Sequence, residues 1–206
     1  MNQFTLLNEV DSIALPGGGH LRLWPRFLDG ETADALLNKL LHRVAWEQSR
    51  IAIGGRQRLI PRMNAWFGDA DADYSYSGVQ LVRQRWLPEL KLVKENICAL
   101  TGAVFNSALL NLYRDGRDSV DWHSDDEAEL GPDPVIASLS LGATRRFDLR
   151  TKATPGRQQM QIPLTHGSLL LMGVGTQRVW QHRIAKTPGD VGQRVNLTLR
   201  NILRVV

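Results

Sequence analysis

The sequence predicts a mainly β domain, a sandwich or jelly roll with helices packed outside it. Three observations carry this. Two stretches in the first half repeat apolar residues at helical spacing. From Ser107 onward the pattern changes to short segments of period two, separated by Gly, Pro and Asp. The chain has no internal repeat, low-complexity run or linker to divide it, and at 206 residues with 43% apolar content it fits one domain.

The elements follow in order. After the Asp29-Gly30 break, Ala33, Leu36, Leu37, Leu40, Leu41 and Val44 recur at helical spacing, which predicts an amphipathic helix. Arg50 to Leu59 sets Gly54-Gly55 between extended flanks. Both glycines can take positive φ, so this segment is a hairpin with a basic tip. Leu90, Val93, Ile97 and Leu100 form a second helix behind Pro88. Strands are expected at 109–113, 135–141, 146–149, 159–162, 168–172, 179–182 and 194–203. Many short strands after two helices give the sandwich or jelly roll. The division expected is one domain over 1–206, with a helix and hairpin in 1–60 and the second helix and the period-two strands in 61–206.

Composition narrows the function classes. Cys98 is the only cysteine, so an intramolecular disulfide and a thiolate-rich metal site are both excluded. Met1-Asn2-Gln3-Phe4 has no basic stretch leading into an apolar run, and the densest apolar stretch, 169–172, is far too short to span a bilayer. No membrane partner, a reducing compartment and a cytoplasmic location are expected. The net charge of +4 and pI near 9.6 favour a polyanionic partner only weakly. Their distribution is more telling: Arg50, Arg56, Arg58 and Arg62 cluster in one stretch, while Asp125, Asp126, Glu127 and Glu129 crowd another.

His123 and Asp125 are two residues apart, so at a strand end both can face one ion. A His-x-Asp is short enough to arise by chance and is otherwise a polar turn. A second histidine completes the set, and His182 and His166 compete for that role. His182 ends an apolar-flanked strand, whereas His166-Gly167 has the look of a turn. Two histidines and one carboxylate are the facial triad of mononuclear Fe(II), with three positions left open. In 194–200 the side chains of Arg194, Asn196, Thr198 and Arg200 alternate with Val195, Leu197 and Leu199. Such a strand either shows its polar face to water or lines a barrel mouth, where a guanidinium can grip a carboxylate with two hydrogen bonds. Asn111 and Tyr113 share a face in the same manner. Tyr74 and Tyr76 lie on one side of an extended segment and suit stacking on a base or partial core packing.

Taken together, Asn111-Leu112-Tyr113, His123-Ser124-Asp125-Asp126-Glu127, His182 and Arg194 to Arg200 resemble the AlkB family of Fe(II)- and 2-oxoglutarate-dependent dioxygenases. The likeness runs from about Pro61 to Leu203 and is nearest to the DNA-repair branch. It implies a double-stranded β-helix, with His123, Asp125 and His182 as iron ligands. Arg194 would hold the 2-oxoglutarate carboxylate remote from iron, and Arg200, Asn196, Asn111 and Tyr113 would complete that pocket. Tyr76 would stack on a flipped base, with Tyr74, Ser77, Arg62 and Glu127 around it. The activity implied is oxidative removal of N-methyl groups from bases such as 1-methyladenine and 3-methylcytosine, releasing formaldehyde and succinate. Where duplex-reading members carry an aromatic wedge at the hairpin tip, this chain has Gly54-Gly55, so single-stranded or distorted DNA is expected unless another residue such as Ile53 fills the gap. A monomeric enzyme is expected as well. An RNA demethylase or a protein hydroxylase on the same scaffold is the nearest rival. A non-catalytic nucleic-acid-binding domain is the rival of another class.

Overall fold

Capping and strand alternation account for most of the architecture in the computed structural model, which describes residues 10–53, 55–70, 75–76, 79–80, 82–153 and 157–203, with backbone alone for 53, 75–76 and 79–80. In chain order the strands are β1 (Asp11–Ala14), β2 (His20–Trp24), β3 (Arg50–Ile53), β4 (Arg56–Leu59), β5 (Met63–Gly68), β6 (Ser75–Tyr76), β7 (Val79–Gln80), β8 (Arg83–Gln84), β9 (Ser107–Tyr113), β10 (Val120–His123), β11 (Ile136–Gly142), β12 (Arg145–Thr151), β13 (Gln159–Leu164), β14 (Leu169–Met172), β15 (Trp180–Ile184) and β16 (Arg194–Arg200). The helices are α1 (Gly30–Arg43), α2 (Pro88–Thr101) and the single turn α3 (Thr176–Val179).

Helix α1 starts where Asp29 accepts a hydrogen bond from the Thr32 amide at 2.8 Å, a cap that contributes about 1 kcal/mol. Helix α2 has Pro88 in its first turn and ends on Gly102 at φ 74°, a left-handed position that favours glycine. Their apolar stripes, Leu36, Leu40, Leu90, Val93 and Ile97, pack against one face of the larger sheet. None of the helices among the described residues is long and apolar enough to cross a membrane.

The larger sheet has the order β1-β2-β14-β11-β16-β9-β5-β8, and the smaller β10-β15-β12-β13. All neighbours run antiparallel except β5 and β8. Alternation then sorts side chains into two cores. Leu110, Leu112, Leu139, Leu141, Val195, Leu197 and Leu199 point toward the helices. Leu109, Tyr113, Phe147, Leu149, Ile162, Leu170, Met172, Trp180 and Ile184 fill the space between the sheets. The polar alternates of β9, β11 and β16 therefore face inward, toward the smaller sheet.

Both expected helices and every expected strand are present with shifted ends. The segment beginning at Val179 starts as the one-turn α3, and β16 stops at Arg200 rather than Leu203. Strands β1, β2, β5, β6, β7, β8 and β10 are additional to the strands expected from the sequence. The first two are short and interrupted by the glycines at 17–19. Strand β5 is nearly all buried and so lacks period-two alternation. Because β2 pairs with β14, residues before 60 form part of the larger sheet.

A candidate metal centre and its anion pocket

Strand pairing brings the three chemistry-bearing side chains together. His123 ends β10 and lies in register opposite His182 of β15, with ring centroids 4.3 Å apart. On the other side of β15, Leu149 pairs with His182, and the Phe147 ring stacks on that imidazole at 5.1 Å. Two residues beyond β10, the Asp125 amide donates to Gln177 Oε1 at 3.0 Å, and Ser124 Oγ donates to the Trp180 carbonyl at 3.0 Å. These bonds pin the loop over the sheet end. One ligand atom from each of His123, Asp125 and His182 lies within 4.8 Å of the others.

Their protonation suits a cation. The Nδ1 of His123 is 2.8 Å from the Asp121 carbonyl oxygen, which favours the tautomer with its proton on Nδ1 and a lone pair on Nε2. Burial, and next the neighbouring His123, push the His182 imidazole down to about 3 against the opposing pull of Asp125, so it is neutral at pH 7. Burial works against charge on Asp125, yet Arg200, His182 and His123 outweigh it and hold the carboxyl at about 2. Asp125 Oδ1 pairs with Arg200. Its Oδ2 is buried without a hydrogen bond, 3.6 Å from His182 Nε2. An ionised carboxylate oxygen left over beside two imidazoles is the donor set of a facial iron site, and these residues fit that metal.

Behind the three residues is a cavity lined by Asn111, Tyr113, Ser138, Phe147, Arg194 and Thr198, among others. Arg194 is 1% exposed, and burial lowers its pKa to about 10, so it carries its charge at neutral pH. Its Nη2 donates to Ser140 Oγ at 2.9 Å and Asn196 Oδ1 at 2.8 Å, its guanidinium carbon lies 5.1 Å from the Tyr113 ring centroid, and Nε and Nη1 are buried without an assigned partner among the described residues. No carboxylate is among its hydrogen-bond partners. A buried guanidinium in this state calls for an anion that accepts from two nitrogens side by side, which is the geometry a carboxylate supplies.

Asn196 supports that arginine, because its Oδ1 also accepts from Ser138 Oγ at 2.8 Å and its Nδ2 donates to Thr198 Oγ1 at 2.8 Å. Ser138 and Ser140 were given no role in the sequence reading, and Thr198 entered it only as part of the polar face of 194–200. Their signal was legible, since Ser138 and Ser140 alternate with Ala137, Leu139 and Leu141 in register with Thr198 and Asn196. Gln177, in the one-turn helix, had no such signal. Arg62 lines the same cavity: it is 5% exposed, and its Nε donates to Asn111 Oδ1 at 2.8 Å. Glu127 is half-buried at the start of the turn over Ala128–Leu130 and is not among the cavity-lining residues. Tyr74, Ser77 and the side chain of Tyr76 lie outside the described residues. His166 accepts from the Gly142 amide through Nδ1 at 2.8 Å in a turn away from the triad.

The chain matches the model of the 2OG-Fe(II) oxygenase superfamily over residues 20–200. Alpha-ketoglutarate-dependent dioxygenase alkB homolog 3 of Rattus norvegicus is 44% identical over 202 residues, covering 93% of this chain and 67% of that protein. DNA oxidative demethylase ALKBH2 of Mus musculus is 37% identical over 180 residues, covering 83% of this chain and 75% of that protein. Among solved structures, OsALKBH1 superposes with a TM-score of 0.61 at 19% identity, covering 93% of this chain and 100% of that one. A prolyl hydroxylase of Trichoplax adhaerens, in complex with a hypoxia inducible factor peptide fragment, gives a TM-score of 0.61 at 12% identity over 88% of this chain and 83% of that one. Both structural likenesses concern the fold.

Proposed function

The chain belongs to the AlkB family within the 2OG-Fe(II) oxygenase superfamily, with Fe(II) and 2-oxoglutarate as its cofactors, and on that footing we propose that it removes N-methyl groups from damaged bases in single-stranded or distorted DNA. The observation that carries this reading is the buried, half-bonded Arg194 guanidinium, which shares one cavity with the His123, Asp125 and His182 cluster.

His123 Nε2, His182 and Asp125 Oδ2 would hold the iron, and Arg194 would hold the distal carboxylate of 2-oxoglutarate. Bound iron with 2-oxoglutarate supplies the oxidising equivalent: dioxygen is reduced, the cosubstrate becomes succinate and CO2, and N–CH3 becomes N–CH2OH. The C–N bond of that product then breaks, giving formaldehyde and the restored N–H.

The protein's own residues set the conditions. Arg200 faces Asp125 Oδ1, which keeps the carboxylate ionised and turns Oδ2 toward the imidazoles. The Asp121 carbonyl keeps the proton of His123 on Nδ1. Ser140 and Asn196 fix Arg194 before the cosubstrate arrives, which reduces the ordering cost of binding. Phe147, Leu164 and Ile184 form an apolar wall that limits water at the reacting carbon.

The strand preference comes from the hairpin. Ile53 pairs with Arg56, and Gly55, at φ 74°, brings no aromatic side chain to the turn. Extruding a base from a duplex costs a few kcal/mol that an aromatic wedge at this place would partly offset, and a methylated base that pairs poorly flips most cheaply. The test is the mass of an oligonucleotide with one 3-methylcytosine, incubated with Fe(II) and 2-oxoglutarate as a single strand and as a duplex. Loss of one methylene, faster in the single strand, is expected. Unchanged mass in both forms would overturn the substrate reading, and faster duplex repair would overturn the strand preference.

A further inference from the structure

The outward face of the smaller sheet carries cations that the metal centre does not use. Alternation turns Phe147, Leu149, Trp180, His182 and Ile184 inward, leaving Arg146, Asp148, Arg150, Gln181 and Arg183 on the other face, with Arg183 also bordering the cavity. Trp122, the residue before His123, joins them. The guanidinium carbon of Arg150 lies 4.2 Å from the Trp122 ring centroid and that of Arg183 lies 4.4 Å from it.

This is more positive charge than the face neutralises. Asp148 accepts from Arg146 Nε at 2.7 Å and from Arg183 Nε at 2.9 Å, one carboxylate between two guanidiniums. Arg150 donates its Nε to the neutral Gln181 Oε1 at 3.0 Å. Arg157 is exposed nearby, and after burial it is the charges of Arg157 and Arg183 that lower the pKa of Arg150 against the weaker opposing pull of Asp121, which leaves four guanidiniums facing two carboxylates. Stacking one arginine on an indole stabilises a surface modestly. A second arginine on the same indole adds like-charge repulsion that an anion between the two would relieve. The side chains of Arg146 and Arg183 remain 55% and 33% exposed, so an anion can reach them.

We propose that this face is a platform for the phosphate backbone of the substrate strand, with Arg150 and Arg183, both against Trp122, gripping phosphates next to the nucleotide whose base enters the site. The occupant is a polynucleotide because the patch combines closely spaced guanidiniums with an aromatic ring, the pairing that backbone tracking uses. Trp122 also adjoins His123, so a strand delivering its base to the metal passes within a residue of the platform. The inference rests on the nucleic-acid reading above.

The test is fluorescence anisotropy of an undamaged single-stranded 15-mer DNA across a series of salt concentrations. Arg150→Gln should weaken binding about fivefold at low salt and reduce the slope of log affinity against log salt by about 0.7, the value for one phosphate contact on a single strand. Arg150→Lys should keep most of the slope. Arg157→Gln, an exposed change with little bearing on folding, should reduce it further when combined with Arg150→Gln. Turnover of 1-methyldeoxyadenosine nucleoside, which has no phosphate, should be equal in parent and variants. Affinity and slope unchanged in the double variant would overturn the platform while leaving the demethylase reading intact. A parent that binds no DNA at any salt concentration would bring down both.

Discussion

Asp125 acts on two partners, and the two roles can be separated by substitution. Oδ2 faces the imidazoles and Oδ1 faces the buried Arg200. Asp125→Ala removes the carboxylate opposite a guanidinium that is 2% exposed, a change that costs about 3–5 kcal/mol. Without metal, this variant should melt about 10 °C below the parent. His182→Ala removes a neutral ring and should cost markedly less while abolishing turnover as completely. Equal melting losses in the two variants would show that Arg200 does not depend on Asp125. Arg194→Met should raise the KM for 2-oxoglutarate at least about thirtyfold, because a desolvated, hydrogen-bonded charge pair contributes 2 kcal/mol or more. An unchanged KM would remove Arg194 from the cosubstrate pocket. At this scale the sequence was informative wherever residue type and alternation agreed, as in 194–200. It was silent on the bond from Arg62 to Asn111, which depends on strands β5 and β9 being neighbours, a long-range pairing that local pattern does not encode.

Between β9 and β10 the chain must turn so that His123 meets its partner, and the turn is braced from two sides. Buried Arg145 donates to the carbonyls of Asp115, Asp118 and Ala185 at 3.2, 2.9 and 2.7 Å. Asp118 in turn takes two guanidinium bonds from Arg114, each 2.8 Å, and its backbone amide at 2.9 Å. Burial would raise the Asp118 carboxyl, but these bonds prevail and hold it below its ordinary value of 3.8. A carboxyl depressed in the folded state stabilises above its unfolded value and loses that contribution as pH falls through the folded one. Asp118→Asn should therefore be less stable than the parent at pH 7, with the difference shrinking once pH drops below about 3.8. A difference in melting temperature that stays constant from pH 7 to pH 2 would contradict the assignment. The helices and the period-two strands were legible because their caps and alternation are local. Strands β1, β2 and β5 were not, since short or doubly buried strands carry no periodic signature.

For the molecule as a whole, the two sheets divide the work. The larger supplies the anion pocket through β9, β11 and β16, and the smaller supplies both imidazoles, so the reaction site exists only where the two inner faces meet. The jelly roll followed from strand count, while the pairing of β10 with β15 that joins His123 to His182 did not, because register across dozens of intervening residues is a tertiary outcome. The most direct test of the whole account is to measure formaldehyde and succinate together while the protein, supplied with Fe(II), 2-oxoglutarate and dioxygen, acts on a single-stranded DNA carrying 3-methylcytosine, with His182→Ala as control. The account predicts one formaldehyde per base restored, succinate rising in step, and neither product in the control. Succinate without formaldehyde would keep the oxygenase chemistry and contradict the demethylase. Formaldehyde from the control at the parent rate would contradict the metal centre itself.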